Sequence, residues 1–204
     1  MNRLRKMYIK ATLLSPLIIV LGLFGAARVG AEPIVKIEYK YYSIYPNTKW
    51  DLNNELNRRS PIIFQCKRYR GYTQWFVRWQ YQWRSTAQQC QITNVTTNLD
   101  VTYTLPRIPP KHGADPEARQ VFNRYLVALF KHEENHKNSG LYAARSIEKA
   151  LLNLGPFPNC QNLQSKAEST AQQIIQRYRQ RDLDYDRQTD HGRKEGIMIE
   201  NFLR

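Results

Sequence analysis

The pattern of hydrophobic and polar positions divides the chain into a strand-rich half and a helical half. In 34–45 apolar residues alternate with charged ones, which predicts a half-buried strand with Val35, Ile37, Tyr39 and Tyr41 on its inward side. The same alternation predicts the strongest strand of the chain in 72–83. We expect its apolar face to be the core side of a sheet with helices packed on it; this face consists of Trp75, Val77, Trp79, Tyr81 and Trp83.

Shorter elements complete the first half. Segments 89–95 and 99–106 predict two further strands, paired as a hairpin. Between the first two long strands, Thr48 with Asp51 three residues later marks the start of a short helix that ends before Ser60.

The second half has helical periodicity. Asp115 followed by proline is a good N-cap, and apolar residues at three- and four-residue spacing predict a long helix from there to about Asn153. A second helix is predicted from about Gln161 to Asp182, and an irregular tail, 183–204, ends in a short helix. Because strands precede helices, the fold class is α+β, with an antiparallel or mixed sheet at the start of one domain, 32–204.

Residues 1–31 have the features of an export signal. Four basic residues (Arg3, Arg5, Lys6 and Lys10) precede an apolar run at 11–27, and small residues end at Ala31. This pattern predicts a secretory signal peptide that is cleaved after Ala31. The alternative is an uncleaved anchor, because the run is near the lower length limit for a membrane span. The protein is therefore expected to be exported, periplasmic or extracellular, or held at the membrane by residues 11–27.

The chain is basic, with a net charge of +14. Removal of 1–31 takes away five positive charges, so the remaining domain carries 14 − 5 = +9. An exported protein seldom meets nucleic acid, so we expect no nucleic-acid partner. An anionic envelope polymer or lipid surface is the electrostatic partner that this charge favours, although scattered arginines are also typical of an ordinary solvated surface.

Three cysteines, Cys66, Cys90 and Cys160, allow one disulfide and one free thiol in an oxidising compartment. We favour Cys90–Cys160, because this pair would connect the sheet half to the helical half. None of the cysteines lies at C-x-x-C spacing, so a cysteine zinc site is not expected.

The motif with the most specific chemistry is His132-Glu133-Glu134-Asn135-His136, the pattern H-E-x-x-H, inside the first long helix. Spacing of four residues places His132 and His136 on one helix face, where two imidazoles can bind one ion. Glu133 then lies beside the metal and can act as general base toward a zinc-activated water. His136 belongs to the apolar stripe of the helix, which favours a site that faces the interior.

A catalytic zinc ion needs a third protein ligand. The extended pattern H-E-x-x-H-x-x-G-x-x-H is excluded, since Ser139 and Tyr142 occupy its last two defined positions. Glu168 on the second helix and a distant histidine, either His112 or His191, remain as alternatives.

A second motif, 185-YDRQTDHGRKEG-196, together with H-E-x-x-H resembles a bacterial family that is catalogued as a domain of unknown function and described as secreted zinc-dependent proteases. The similarity extends over 34–196 and includes a tyrosine-rich first strand, the segment 104-TLP-106 and Cys160. It implies a zincin-like domain with one Zn²⁺ per chain and a peptide or protein substrate.

On this resemblance, His191 becomes the preferred third ligand, with Asp186 or Asp190 orienting its ring. Tyr185 becomes a candidate donor to the oxyanion of a tetrahedral intermediate. The strand that ends at Leu105-Pro106 would offer an edge to an extended peptide. The predicted function is an envelope or secreted zinc metalloprotease, a hydrolase with Glu133 as base. The alternatives are a peptidoglycan amidase with the same zinc site and an envelope-binding protein without turnover.

Overall fold

The computed structural model of the chain describes residues 32–64 and 66–204, so the predicted export signal lies outside the described residues. Five strands and three α-helices follow one another as β1 (Ile34–Ser43), α1 (Leu52–Arg59), β2 (Ile62–Phe64), β3 (Lys67–Tyr69), β4 (Tyr72–Ser85), β5 (Cys90–Arg107), α2 (Pro116–Leu152) and α3 (Cys160–Thr189). Short 3₁₀ helices occupy Lys49–Asp51, Arg193–Glu195 and Ile199–Phe202.

The main sheet has three strands in the order β1-β5-β4. β1 runs parallel to β5, whereas β4 is antiparallel to it, and β2 and β3 form a separate small hairpin. The protein is thus a mixed α+β domain with its sheet first and its long helices after it. The predicted fold class is confirmed.

β5 differs from its prediction, because it is one strand of 18 residues and not a hairpin of two. The polar segment 96–98 does not interrupt strand pairing in β5, because the inward hydroxyl of Thr97 donates to the buried carboxylate of Glu148 over 3.1 Å. The hairpin is formed instead by β4 and β5. β5 is the central strand and Leu105 is buried opposite Tyr41 of β1. Among the described residues, β1 and β4 are the outer strands of this sheet. β5 pairs with β1 up to Arg107 but with β4 only up to Thr104, so the strand end at Leu105 extends past the start of β4.

β1 was predicted to be half-buried, and this prediction is wrong. Val35, Ile37, Tyr39 and Tyr41 do share one face, but each remains 42–48 % exposed. The reason is the position of α2, which packs mainly over β4 and β5 and reaches the edge strand β1 through Phe130, whose ring lies 6.3 Å from that of Tyr39.

β4 matches its predicted pattern of inward and outward residues up to Tyr81. Trp75 is buried under the helices, and Val77, Trp79 and Tyr81 are half-buried against the core on the same face. The last residue of the predicted row, Trp83, is exposed.

α2 begins where the sequence predicts, with the Asp115 carboxylate accepting a hydrogen bond from the backbone N–H of Glu117 over 3.0 Å. Gly140 brings the helix close to the sheet. A Cβ atom there would lie 2.9 Å from side-chain carbons of Leu99 and Trp75. Close packing at Gly140 sets the distance between the sheet and the part of α2 that carries the H-E-x-x-H motif.

α3 extends to Thr189, seven residues beyond the predicted end at Asp182. The segment 183–189 was predicted to be irregular, but it continues the helix because Tyr185 and Asp186 extend its inward face toward α2. None of the helices that the structure describes combines the length and the hydrophobicity of a membrane span.

The predicted disulfide is confirmed. Cys90 and Cys160 are bonded, with Cα atoms 5.1 Å apart, and connect the start of β5 to the start of α3. Cys66 is an exposed free thiol.

Candidate metal centre

The H-E-x-x-H motif forms one turn of α2, and its two histidines lie at the interface between α2 and α3. His132 is 5 % exposed and His136 is 8 % exposed. Their ring centroids lie 5.1 Å apart, as expected for side chains one helical turn apart. The predicted pair of imidazoles is therefore brought together on a buried helix face.

Both Nε2 atoms approach one carboxylate oxygen. Oδ1 of Asp186 lies 3.3 Å from Nε2 of His132 and 3.2 Å from Nε2 of His136. One nitrogen from each histidine and one oxygen of Asp186 all lie within 4.8 Å of one another. This group of two imidazoles and one carboxylate could hold a metal ion.

The other ring nitrogens also face carboxylates. Nδ1 of His132 lies 2.7 Å from Oε2 of Glu195, and Nδ1 of His136 lies 3.4 Å from Oδ1 of Asp182. The indole N–H of Trp75 donates to the other oxygen of Asp182 over 2.5 Å. Each imidazole is thus oriented by its own carboxylate, an arrangement that recurs around histidine metal ligands.

The electrostatics of this group favour positive charge. Burial disfavours the protonated rings, but hydrogen bonds to Asp182 and Asp186 raise the pKa of His136 to about 10. Burial also acts to lower the pKa of His132, but hydrogen bonds to Asp186 and Glu195 outweigh this effect and raise that pKa. Burial would also raise the pKa of Asp186, yet hydrogen bonds from the two histidines hold that pKa well below its usual range. A site that stabilises a cation between these side chains fits a divalent metal.

Glu133 lies on the sheet side of the motif and is 4 % exposed. Its Oε2 accepts a hydrogen bond from Thr73 Oγ1 over 2.7 Å. Its other carboxylate oxygen is close to Gly71, where an added Cβ atom would clash with it. Burial raises the pKa of Glu133, while His136, the Thr73 hydroxyl and His132 act in the opposite direction. A carboxylate with a raised pKa beside two imidazoles is suited to accepting and returning a proton.

Tyr185 covers the two histidines. Its ring stacks on His132 at 4.9 Å and meets the edge of His136 at 5.3 Å. The phenol accepts from the Asn135 amide over 2.6 Å and donates to Glu195 over 2.9 Å. Burial, and then this bond to Glu195, raise the pKa of Tyr185, so the phenol keeps its proton and remains a donor.

His191 lies outside the group of three. Its side chain is 44 % exposed and packs against Tyr69, with Nδ1 3.6 Å from Oδ2 of Asp186. Asp186, one of the two residues that the sequence predicts to orient His191, is itself in contact with both motif histidines. Asp190 ends α3 in a left-handed conformation and pairs with Arg193.

The alternative ligands from the sequence lie elsewhere. Glu168 is exposed and precedes Asp186 by 18 residues on the same helix, which is about 27 Å along the axis. This distance excludes Glu168 as a ligand of the same ion. His112 lies in a surface loop, where its Nε2 is 2.7 Å from the Pro46 carbonyl oxygen.

Four contributors to the site were missed: Asp182, Glu195, Thr73, and Asp186 as a direct partner of the histidines. Asp182 and Asp186 had a detectable signal, because they are spaced i, i+4 and continue the stripe of Ile174 and Tyr178 on α3. Thr73 and Glu195 come from distant parts of the chain, and no local pattern indicates their roles.

The fold and the site together define an α+β protein with a candidate His-His-Asp metal centre between its two long helices. The chain belongs to the family "Bacterial protein of unknown function (DUF922)", whose model matches residues 39–192. The match includes every residue of the site except Glu195. A comparison with curated proteins and one with solved structures each give no match.

Proposed function

We propose that the protein is an exported zinc-dependent hydrolase that cleaves peptide bonds, with zinc held by His132, His136 and Asp186. The observation that supports this most directly is the approach of both Nε2 atoms to one oxygen of Asp186, while both Nδ1 atoms are oriented by other carboxylates. Two imidazoles and one carboxylate form the ligand set of catalytic zinc sites in which a fourth position stays open. The disulfide between Cys90 and Cys160 fits an exported protein.

When bound, zinc would supply a Lewis acid that polarises a carbonyl and makes water acidic enough to react at neutral pH. Glu133 takes the proton from the attacking water and returns it to the leaving amine, in keeping with its burial beside the ligands. Thr73 holds the Glu133 carboxylate in place. Tyr185 keeps its proton and lies over the histidines. Its O–H donates to Glu195, so it would donate to a developing oxyanion after turning away from that carboxylate.

His191 has a supporting role in this proposal. Its contact with the second oxygen of Asp186 orients the ligand, so the roles that the sequence suggests for these two residues are exchanged. His191→Ala should then leave zinc in place, whereas Asp186→Ala should remove it.

The test is the zinc content of the purified protein after dialysis, measured by elemental analysis. We expect about one zinc per chain in the wild type, clear loss in Asp186→Ala, and retention in Glu168→Ala, a matched carboxylate on the same helix. Loss of zinc in His191→Ala with retention in Asp186→Ala would identify His191 as the third ligand. A wild type that binds no supplied zinc would contradict the metal centre itself.

Turnover is tested with the zinc-loaded protein on an unfolded protein and, in parallel, on purified cell-wall material. Glu133→Gln should retain zinc and lose about 10²–10⁴-fold in rate, because the general base is gone. Cleavage of wall material alone would change the substrate to peptidoglycan. If the loaded wild type cleaves neither, the hydrolase proposal fails and a binding role takes its place.

A further inference from the structure

β1 is an edge strand with an unusual amount of exposed apolar surface. Ile34, Val35, Ile37, Tyr39 and Tyr41 are each more than 40 % exposed, although they belong to the main sheet. Natural edge strands are ordinarily short, bulged or covered, because a long regular edge recruits another strand. β1 is ten residues long and pairs with β5 without interruption.

The kind of partner follows from the backbone. One side of β1 is bonded to β5, and within the described residues 32–64 and 66–204 the other side presents a row of backbone N–H and C=O groups at the sheet edge. A lipid phase would leave these groups without hydrogen bonds, whereas another β-strand would satisfy them and cover the apolar row. The exposed edge therefore favours a strand as its partner.

The charges of β1 indicate that the partner is β1 of a second copy. The outward positions read Lys36, Glu38 and Lys40, and the two last side chains are more than half exposed. An antiparallel pair centred on Glu38 would place the two Glu38 side chains opposite each other and Lys36 opposite Lys40. A pair centred on Tyr39 instead places Glu38 of each copy opposite Lys40 of the other, and opposite charges across a strand pair are stabilising.

The same register also matches the apolar face. With Tyr39 on the two-fold axis, Ile37 of each copy lies opposite Tyr41 of the other, an aromatic and β-branched combination that pairs well. The overlap runs over 35–43. A register centred on Ile37 is also charge-compatible, but it overlaps over 34–40 only and places Ile34 opposite Lys40.

We propose that the chain forms a two-fold symmetric dimer through antiparallel pairing of β1 with β1 of a second copy, with Tyr39 on the axis. The two three-stranded sheets would then become one continuous sheet with all long helices on the same face. The dimer does not depend on metal or on catalysis, so it stands or fails separately from the proposed hydrolase.

Cross-linking tests the register. In the full chain with Cys66→Ser, Tyr39→Cys would place two Cα atoms about 4.5–5.5 Å apart across the axis, within disulfide range. Ile37→Cys is the matched control on the same face, with its copies about 13 Å apart. We expect a covalent dimer on a non-reducing gel for Tyr39→Cys alone. Equal cross-linking of both variants, or of neither, overturns the proposed register.

Charge exchange tests the contact without removing an aromatic ring. Glu38→Lys and Lys40→Glu should each weaken the dimer in analytical ultracentrifugation, because each places like charges opposite each other. The double variant should recover dimerisation, whereas in the register centred on Ile37 it would not. A wild type that is monomeric throughout the accessible concentration range contradicts the dimer.

Discussion

At the residue scale, the two buried imidazoles are each held between two carboxylates, and this determines what the site can bind. A lone buried histidine tends to be neutral, but Asp182, Asp186 and Glu195 raise the pKa of both motif histidines. The same carboxylates would favour a divalent cation in place of the protons. Metal binding should therefore release protons and weaken as the pH falls.

The Thr73 hydroxyl provides a residue-scale prediction about the proposed base. Its hydrogen bond favours the charged form of Glu133 and so opposes the rise in pKa that burial causes. Thr73→Val keeps the shape but removes the donor, so the pKa of Glu133 should rise further. If the zinc-loaded protein is the proposed hydrolase, the acidic limb of its pH profile of kcat/KM should then move to higher pH.

Thr73→Ser is the control. It keeps the hydroxyl, so the acidic limb of its kcat/KM profile should lie at the same pH as in the wild type. If the acidic limb of Thr73→Val stays at the wild-type pH or moves to lower pH, ionisation of Glu133 does not control that limb.

The sequence predicts the residues of this site that lie close together in the chain, and it misses those that distant segments contribute. His132, Glu133 and His136 were found because one helical turn brings them together. Thr73 lies 60 residues from its partner Glu133, and Glu195 lies 63 residues from His132. Those contacts are set by how α2 packs on β4 and how the chain returns after α3, which no motif encodes.

At the element scale, α1 is tied to the end of β1 by one buried carboxylate. Glu55 is 6 % exposed, accepts a hydrogen bond from the backbone N–H of Tyr45 over 2.8 Å, and contacts Arg58 and Arg59. Burial would raise the pKa of Glu55, but the arginines and the backbone bond outweigh it, and the net pKa is lowered.

A lowered carboxyl pKa makes stability depend on pH in a defined direction. The contribution of Glu55 is fully present above the ordinary glutamate pKa and is lost as the pH falls through the lowered folded value. The free energy of unfolding, from urea titrations at pH 7 and at successively lower pH, should therefore fall less steeply in Glu55→Gln than in the wild type. Glu168→Gln, an exposed glutamate, should behave like the wild type. Parallel curves for all three proteins would contradict this role.

The boundaries of elements show where periodicity alone is insufficient. The sequence predicts two strands on either side of the polar segment 96–98, yet a buried carboxylate from α2 accepts a hydrogen bond from the Thr97 hydroxyl and the strand continues. The predicted end of α3 at Asp182 falls where its apolar stripe gives way to Asp182 and Asp186, which face the histidines instead of a hydrophobic core. In both cases a polar side chain that is hydrogen-bonded in the interior gives the same sequence pattern as a polar residue in a surface loop.

At the scale of the whole molecule, the candidate ligands connect elements that are distant in the chain. α2 contributes His132 and His136, and α3 contributes Asp186, while the disulfide fixes the opposite end of α3 to β5. A metal at this position would therefore link the two long helices. Binding to the folded state alone stabilises it by mass action.

Zinc should thus raise the melting temperature of the protein. At a free zinc concentration 100 times the Kd, the stabilisation is about 2.7 kcal/mol. For a domain of this size, that corresponds to an increase in Tm of about 5–10 °C. Thermal unfolding followed by circular dichroism, with and without zinc, measures this increase. Asp186→Ala should lose it and Glu168→Ala should keep it. The same increase in both variants would mean that zinc binds elsewhere, and no increase in the wild type would mean that the helices are held together without a metal.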